Sequence, residues 1–269
     1  MCIRDSLYRP DISFDDIGGL EEVKKTMKHI AFFIRNPGCS HKNNVGNVLL
    51  YGPHGNGKTL LAGAMAIECG AGLILFDDPY KYICTAYGGP GWREMIKAAF
   101  SKASKNTPCI ILFEDFDLFV PRKVVMEAVS SERRIILQLL TELNNLKEGV
   151  IVIGETRRID LIDEAILQRF KYRLEVGLPD EDARREIIKI HTKKLLRSKL
   201  RIEDKGIVSD WLVRETEHFS GREIKNVIDK AVYNLIKNLF RKGGKGETII
   251  KRSNFEDALR EIRKAKSKT

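Results

Sequence analysis

Residues 46–59 read G-N-V-L-L-Y-G-P-H-G-N-G-K-T, and Gly52, Gly57, Lys58 and Thr59 fit the spacing G-x-x-x-x-G-K-[ST]. The chemistry this spacing supports is the grip of a polyphosphate. Gly55 and Gly57 allow backbone angles that bare their amides, and those amides converge on phosphate oxygens. Lys58 has the reach for the β- and γ-phosphates, and the Thr59 hydroxyl suits a Mg²⁺ shell. A second acidic feature, I-I-L-F-E-D-F-D at 110–117, ends an apolar run in paired carboxylates. Glu114 can hold Mg²⁺, usually through water, and Asp115 can orient and activate an attacking water. The bland alternatives are a glycine-rich turn with a chance lysine and a strand that happens to close on acids. The full spacing, the flanks and the order of the two features argue against both.

These residues need strands to present them. Val48–Tyr51 is a short apolar run stopped by Gly52, and L-L-A-G-A-M-A-I-E-C follows Thr59 with good helix formers. Leu73–Phe76, Cys109–Phe113, Val150–Ile153 and Arg173–Val176 read as further strands, with Glu155-Thr156-Arg157 beyond the fourth. Helical stretches lie between them: Leu20–Ile34, Trp92–Ala103, one from about Ser131, and a short one started by Asp163. Continuous apolar strands alternating with helices predict a parallel five-stranded sheet covered on both faces, an α/β fold. From Asp180 the β pattern ends, and Glu181–Leu196, Ser209–Glu217, Gly221–Phe240 and Phe255–Lys264 read as helices. The expected organisation is an α/β core over 7–179 followed by a small all-α lid over 180–269.

Composition narrows the partners. No apolar run approaches the span of a bilayer. Five cysteines (Cys2, Cys39, Cys69, Cys84 and Cys109) form no CxxC pair, so reduced thiols in a cytoplasmic compartment are expected. Cys84 and Cys109 read as small packing residues, and His29, His41, His54 and His218 lack metal spacing. The formal charge of +10 fits either a polyanionic partner or lysine-rich solvated helices, and the spread of bases among acids favours the helices. M-C-I-R-D-S at 1–6 resembles the translation of a sequencing-library adapter, so these residues are read as a non-native leader and the natural chain is expected to begin further upstream.

The order of motifs from about Pro10 to Ile262 resembles the AAA ATPases, in the branch of valosin-containing protein, the proteasomal ATPases and FtsH. F-D-D-I-G-G-L-E-E-V-K at 14–24 is similar to that branch's entry, which implies an adenine pocket at Asp16, Ile17 and Gly18. V-G-L-P-D at 176–180, I-I-K-I-H-T-K at 187–193 and F-S-G-R-E-I at 219–224 resemble its lid, with His191 and Gly221 at nucleotide positions. The implied fold is a P-loop NTPase core, with Pro53, His54, Gly55, Asn56, Gly57, Lys58, Thr59 and Leu60 around the phosphates. The implied cofactors are ATP and Mg²⁺, the ion held at Thr59 and Glu114. Tyr87-Gly88-Gly89 is the nearest match to the family's pore loop, one residue out of register; the alternative is tyrosines packed back on the core.

The departures bear on turnover. The family's acidic pair is Asp then Glu, whereas this chain has Glu114 then Asp115. Its A-T-N becomes Glu155-Thr156-Arg157, and three readings of Arg157 stand open: charge on the γ-phosphate, a pair with Glu155, or a lost role. L-R-P-G-R-F-D-R is shortened to L-Q-R-F-K-Y, which leaves Arg169 as the candidate finger toward a neighbour's ATP and Tyr172 at the usual second finger. Arg222 is either a lid arginine on the phosphates or a solvated residue. The resemblance implies a Mg-ATP-dependent ATPase that forms a ring, most simply a hexamer of one chain, and unfolds a protein substrate by threading. The alternatives are an ATP-binding, weakly hydrolysing structural subunit of a mixed ring or, on net charge alone, a nucleic-acid motor.

Overall fold

A computed structural model of the chain describes residues 10–36, 38, 45–77, 91–122, 130–196, 200–241 and 248–266. It divides into two compact units. The first comprises 1–14, 21–52 and 58–176, and the second 15–20, 53–57 and 177–269. The chain therefore enters the second unit three times, whereas the sequence reading placed one boundary after Pro179.

The first unit holds the sheet. Its strands are β1 (Asn47–Tyr51), β2 (Gly72–Phe76), β3 (Cys109–Phe113), β4 (Val150–Thr156) and β5 (Phe170–Glu175). They lie in the order β2-β3-β4-β1-β5, all parallel. Every residue of β3 and β4 is buried, which is why β3 and the first four residues of β4 read as unbroken apolar runs. The fourth strand takes in Glu155 and Thr156, which the apolar pattern alone places beyond its end. The fifth begins three residues earlier than expected, because its start alternates buried and exposed residues and carries Lys171. Helices α1 (Glu21–Arg35), α2 (Lys58–Cys69), α3 (Trp92–Lys105), α4 (Ser130–Asn144) and the single-turn α5 (Glu164–Leu167) complete the unit. The Asp163 side chain caps α5 by accepting from the amides of Ala165 and Ile166. Ser131, expected at the start of α4, lies inside it.

An aromatic cluster anchors the acidic turn after β3. Phe113 stacks on Phe76 with centroids 4.5 Å apart, and it meets Phe116 at 5.5 Å and Phe119 at 5.4 Å. Phe116 in turn meets Phe170 at 5.3 Å. Glu114 and Asp115 are thus pinned between two fully buried rings, each of which would cost about 3–5 kcal/mol to truncate to alanine.

The second unit is built on α6 (Glu181–Leu196), α7 (Lys205–Glu215), α8 (Gly221–Arg241) and α9 (Arg252–Lys266). Ile188, Leu212, Phe219, Val227, Phe255 and Leu259 are among its buried core. A two-residue parallel pair, Arg201–Ile202 with Ile249–Ile250, interrupts the expected all-helical pattern. Two residues are too short a run for period-two alternation to register in the sequence. Among the described residues, no helix is long and apolar enough to cross a membrane.

Candidate functional site

Strand register decides which residues meet in the first unit. Tyr51 pairs with Thr156, and Phe113 pairs with Gly154. The residues that follow β1, β3 and the end of β4 therefore emerge side by side along one edge of the sheet, at the carboxyl ends of the strands where α/β folds bind ligands. Lys58 and Thr59 open α2 there, Glu114 and Asp115 follow β3, and Glu155, Thr156 and Arg157 close β4.

Lys58 is buried and donates from Nζ to the Gly52 carbonyl at 2.8 Å, which holds its ammonium across the loop. Thr59 donates its hydroxyl hydrogen to Glu155 Oε2 at 2.9 Å. Glu155 is 4% exposed, and its Oε1 has no hydrogen-bond partner among the described residues. The Glu155 carboxyl is raised to about 8, chiefly by burial and with help from the neighbouring Glu114, against the Thr59 hydrogen bond that pulls it down. Thr156 Oγ1 donates to Asp117 Oδ1 at 2.5 Å and accepts from the Arg158 amide at 2.9 Å, so the strand tip is tied on both sides.

Asp115 has φ 45° and ψ 51°, a left-handed conformation that a residue with a Cβ adopts only under constraint. The buried Phe113 and Phe116 supply that constraint. Arg157 Nε stands 4.0 Å from Asp115 Oδ1, with the two side chains 54% and 41% exposed. A pair this open contributes about 0–1 kcal/mol, so it orients Arg157 without fixing it. Arg157 thus leans toward Asp115, and the pairing with Glu155 weighed from the sequence is not the arrangement found.

Arg169 lies elsewhere. It immediately precedes Phe170, which pairs with Asn47 at the start of β1, so Arg169 sits at the amino-end edge of the sheet, opposite the acids. Its Nε donates to Asn144 Oδ1 at 2.6 Å, and its carbonyl accepts from Asn47 Nδ2 at 3.1 Å. Arg173 donates to the Leu167 carbonyl at 2.8 Å.

The second unit gathers the remaining candidates. Gly18 packs against α6 so closely that a Cβ would stand 2.6 Å from the Ile187 nitrogen. The Gly19 amide donates to Glu186 Oε2 at 2.8 Å, and Lys194 pairs with Asp16 at 3.2 Å. The 16–19 strap therefore runs along one face of α6, and His191, one turn beyond Ile187, lies on that face. Burial first, then Lys194 and Lys225, hold the His191 imidazole below its ordinary range. Gly55 has φ +76°, and a Cβ there would stand 2.7 Å from Arg222 Cβ. Its carbonyl accepts the Arg222 amide at 2.8 Å, which seats the loop residue on the first turn of α8. That turn carries a reciprocal cap. Glu223 accepts the Ser220 amide at 2.7 Å, and Ser220 Oγ accepts the Glu223 amide at 3.3 Å. This gives F-S-G-R-E its local mechanics, while the Arg222 side chain itself is exposed.

Tyr87, Gly88, Gly89, Cys84 and residues 1–6 lie outside the described residues. Cys109 is buried, and that burial pushes its thiol up to about 11, as a packing residue requires. No three His, Cys, Asp or Glu side chains among the described residues form a metal cage. An ion at this edge would take most of its shell from nucleotide oxygens and water, as Mg²⁺ commonly does.

Sequence comparison bears on this arrangement. Residues 48–178 match the profile of the ATPase family associated with various cellular activities (AAA). The chain belongs to that family. It is 34% identical over 275 residues to the Cell division cycle protein 48 homolog of Archaeoglobus fulgidus, which aligns 96% of this chain and 36% of the relative. It is 34% identical over 273 residues to the proteasome-activating nucleotidase of Sulfurisphaera tokodaii, aligning 97% of this chain and 64% of that protein. Against the ATP-dependent zinc metalloprotease FtsH 2 of Thermoanaerobacter sp. it is 34% identical over 263 residues, spanning 48% of the relative. This AAA chain thus spans less than two thirds of each of these relatives. Asp117 and Glu155 join this edge without having been singled out by the sequence motifs, and Asn47 ties down Arg169 at the opposite edge. The signal for Glu155 was present, since an acid inside V-I-V-I-G-E-T has no solvated face to occupy.

Proposed function

We propose that this chain is the ATPase module of a Mg-ATP-dependent ring that remodels or unfolds proteins, in a cytoplasmic setting. The observation that carries the reading is the split of the first unit. Lys58, Thr59, Glu114, Asp115 and Arg157 share one edge of the sheet, while Arg169 holds the opposite edge. Five strand residues at about 3.3 Å each separate the two edges, so Arg169 does not reach the phosphates bound by its own subunit.

The residues present fit Mg-ATP. In the first unit Lys58 would hold phosphate and Thr59 and Glu114 the ion; in the second, taken by itself, the 53–57 loop amides would suit phosphate oxygens and His191 with Asp16–Gly18 a nucleoside. Bound Mg²⁺ neutralises charge developing on the γ-phosphate. Asp115 orients the attacking water and takes its proton, and Arg157 adds positive charge beside it. Arg169 acts in trans, where an arginine finger is worth about 10³–10⁵ in rate. Hydrolysis then requires a heterologous interface, and a closed homomeric hexamer satisfies it for every subunit. A protein substrate gripped by the Tyr87 loop completes the reading.

Subunit mixing tests it. Activity per subunit should rise with protein concentration. Arg169→Ala should bind ATP and fail to turn over, and Lys58→Ala should fail to bind. Mixing the two should restore part of the activity by rebuilding intact interfaces. Concentration-independent hydrolysis by a monomer in sedimentation would overturn the ring. A second reading, an ATP-binding subunit with little turnover, draws support from the reversed acids and from the 4.0 Å approach of Arg157 to Asp115.

A further inference from the structure

Glu155 is buried at the end of a strand that is otherwise apolar up to that point, between Gly154 and Thr156. One of its oxygens accepts the Thr59 hydroxyl at 2.9 Å, and the other has no hydrogen-bond partner among the described residues. A buried polar atom left unsatisfied destabilises the fold, and an alanine at this place would avoid that cost. Arg157, two residues on in the sequence, does not offset it, because it leans toward Asp115. A position that carries this penalty without structural return points to something the carboxyl binds.

The Thr59 bond indicates what that is. A hydroxyl has one hydrogen and two lone pairs. With its hydrogen committed to Glu155, the Thr59 oxygen is left purely as an acceptor at the edge where Lys58, Glu114 and Asp115 gather. Such an oxygen suits a hard cation. We infer that Glu155 is a positioning residue for the divalent cation of the nucleotide site: it fixes the Thr59 hydroxyl and offers its second oxygen to water in the cation's shell. It acts through Thr59 and water, consistent with the lack of a three-residue metal cage among the described residues. The inference rests on the Mg-ATP reading above, and its test separates the two.

The experiment uses the full chain, with ADP as nucleotide and Mn²⁺ as probe. ADP binding is measured in EDTA, and Mn²⁺ affinity of the ADP complex is measured by electron paramagnetic resonance and by Mg²⁺ competition. Glu155→Ala should bind ADP in EDTA like the parent, while its complex binds Mn²⁺ about 10–100-fold more weakly, the usual effect of losing an outer-sphere partner. Glu155→Gln keeps an oxygen for Thr59 and the side-chain volume, so it should lose less, with the same unchanged metal-free ADP affinity. If Glu155→Ala does not fold, Glu155→Gln carries the test alone. Unaltered Mn²⁺ affinity in the folded variants overturns the role of Glu155, as does an equal loss of metal-free ADP binding. Parent protein that binds no ADP, with or without metal, overturns the nucleotide reading itself.

Discussion

Asn47 Nδ2 donates to the Arg169 carbonyl at 3.1 Å, while Asn47 Oδ1 accepts the Val152 amide at 3.0 Å. One buried amide thus joins the first residue of β1 to β4 and to the entry of β5. Asn47→Leu would leave a buried amide and a carbonyl unsatisfied, for a loss of about 2–4 kcal/mol by the cost of each group. Urea denaturation of the two proteins measures this directly. If the ring reading holds, the variant should also lose turnover at unchanged ATP affinity, because the backbone of Arg169 is no longer held.

The acidic pair divides its labour by reach. Asp115→Asn should retain Mg-ATP and lose about 10²–10⁴ in turnover, the usual contribution of a positioned base. Glu114→Gln should instead raise the Mg²⁺ concentration needed for half-maximal activity. Single-turnover hydrolysis across a Mg²⁺ series checks both. Normal hydrolysis by Asp115→Asn together with a dead Glu114→Gln would exchange the two roles.

Arg157 offers a sharper discrimination. As a cation on the γ-phosphate, its loss in Arg157→Ala should lower turnover about 10²-fold, in the range of removing one charge-stabilising donor. ADP affinity should stay unchanged. Faster turnover in Arg157→Ala would instead identify the arginine as a restraint on Asp115.

His191 gives the chain a pH-dependent term. Its folded imidazole is held below the ordinary 6.5 by burial, then by Lys194 and Lys225, against Asp229. As pH falls through 6.5, the unfolded chain takes up this proton before the folded chain does. Stability is therefore lost on acidification and is fully present above that range. Urea midpoints taken at about pH 8 and about pH 5.5 should differ less in His191→Gln than in the parent protein. An equal difference would assign the pH dependence to other groups.

Much of this was legible in the sequence because it is written in local terms. The phosphate loop, the acidic strand end and the four long lid helices each follow from spacing within about ten residues, the reach of period and motif arguments. What escaped depends on register. Nothing in V-I-V-I-G-E-T says that Thr156 will lie beside Tyr51, or that Glu155 will meet Thr59 across 96 residues. Asn47 lies just outside the apolar run Val48–Tyr51, and nothing local marks it, because its partners are backbone groups of Val152 on β4 and of Arg169 just before β5. Arg157 was undecidable for the same reason, since Asp115 and Glu155 are both near in sequence motifs and only the pairing of β3 with β4 chooses between them.

The 16–19 strap has a consequence for how the chain assembles. Its bond from Gly19 to Glu186 joins residues 167 apart, and closing a loop of that length costs about 4–5 kcal/mol of chain entropy. As the chain leaves the ribosome, the strap emerges before α6 and waits until that helix has been made. Contacts of such long range form slowly and late. The helical unit therefore reaches its final packing only when the 16–19 strap and α6 have found each other, and a fragment starting at Gly177 would leave Ala183, Glu186 and Ile187 without their cover.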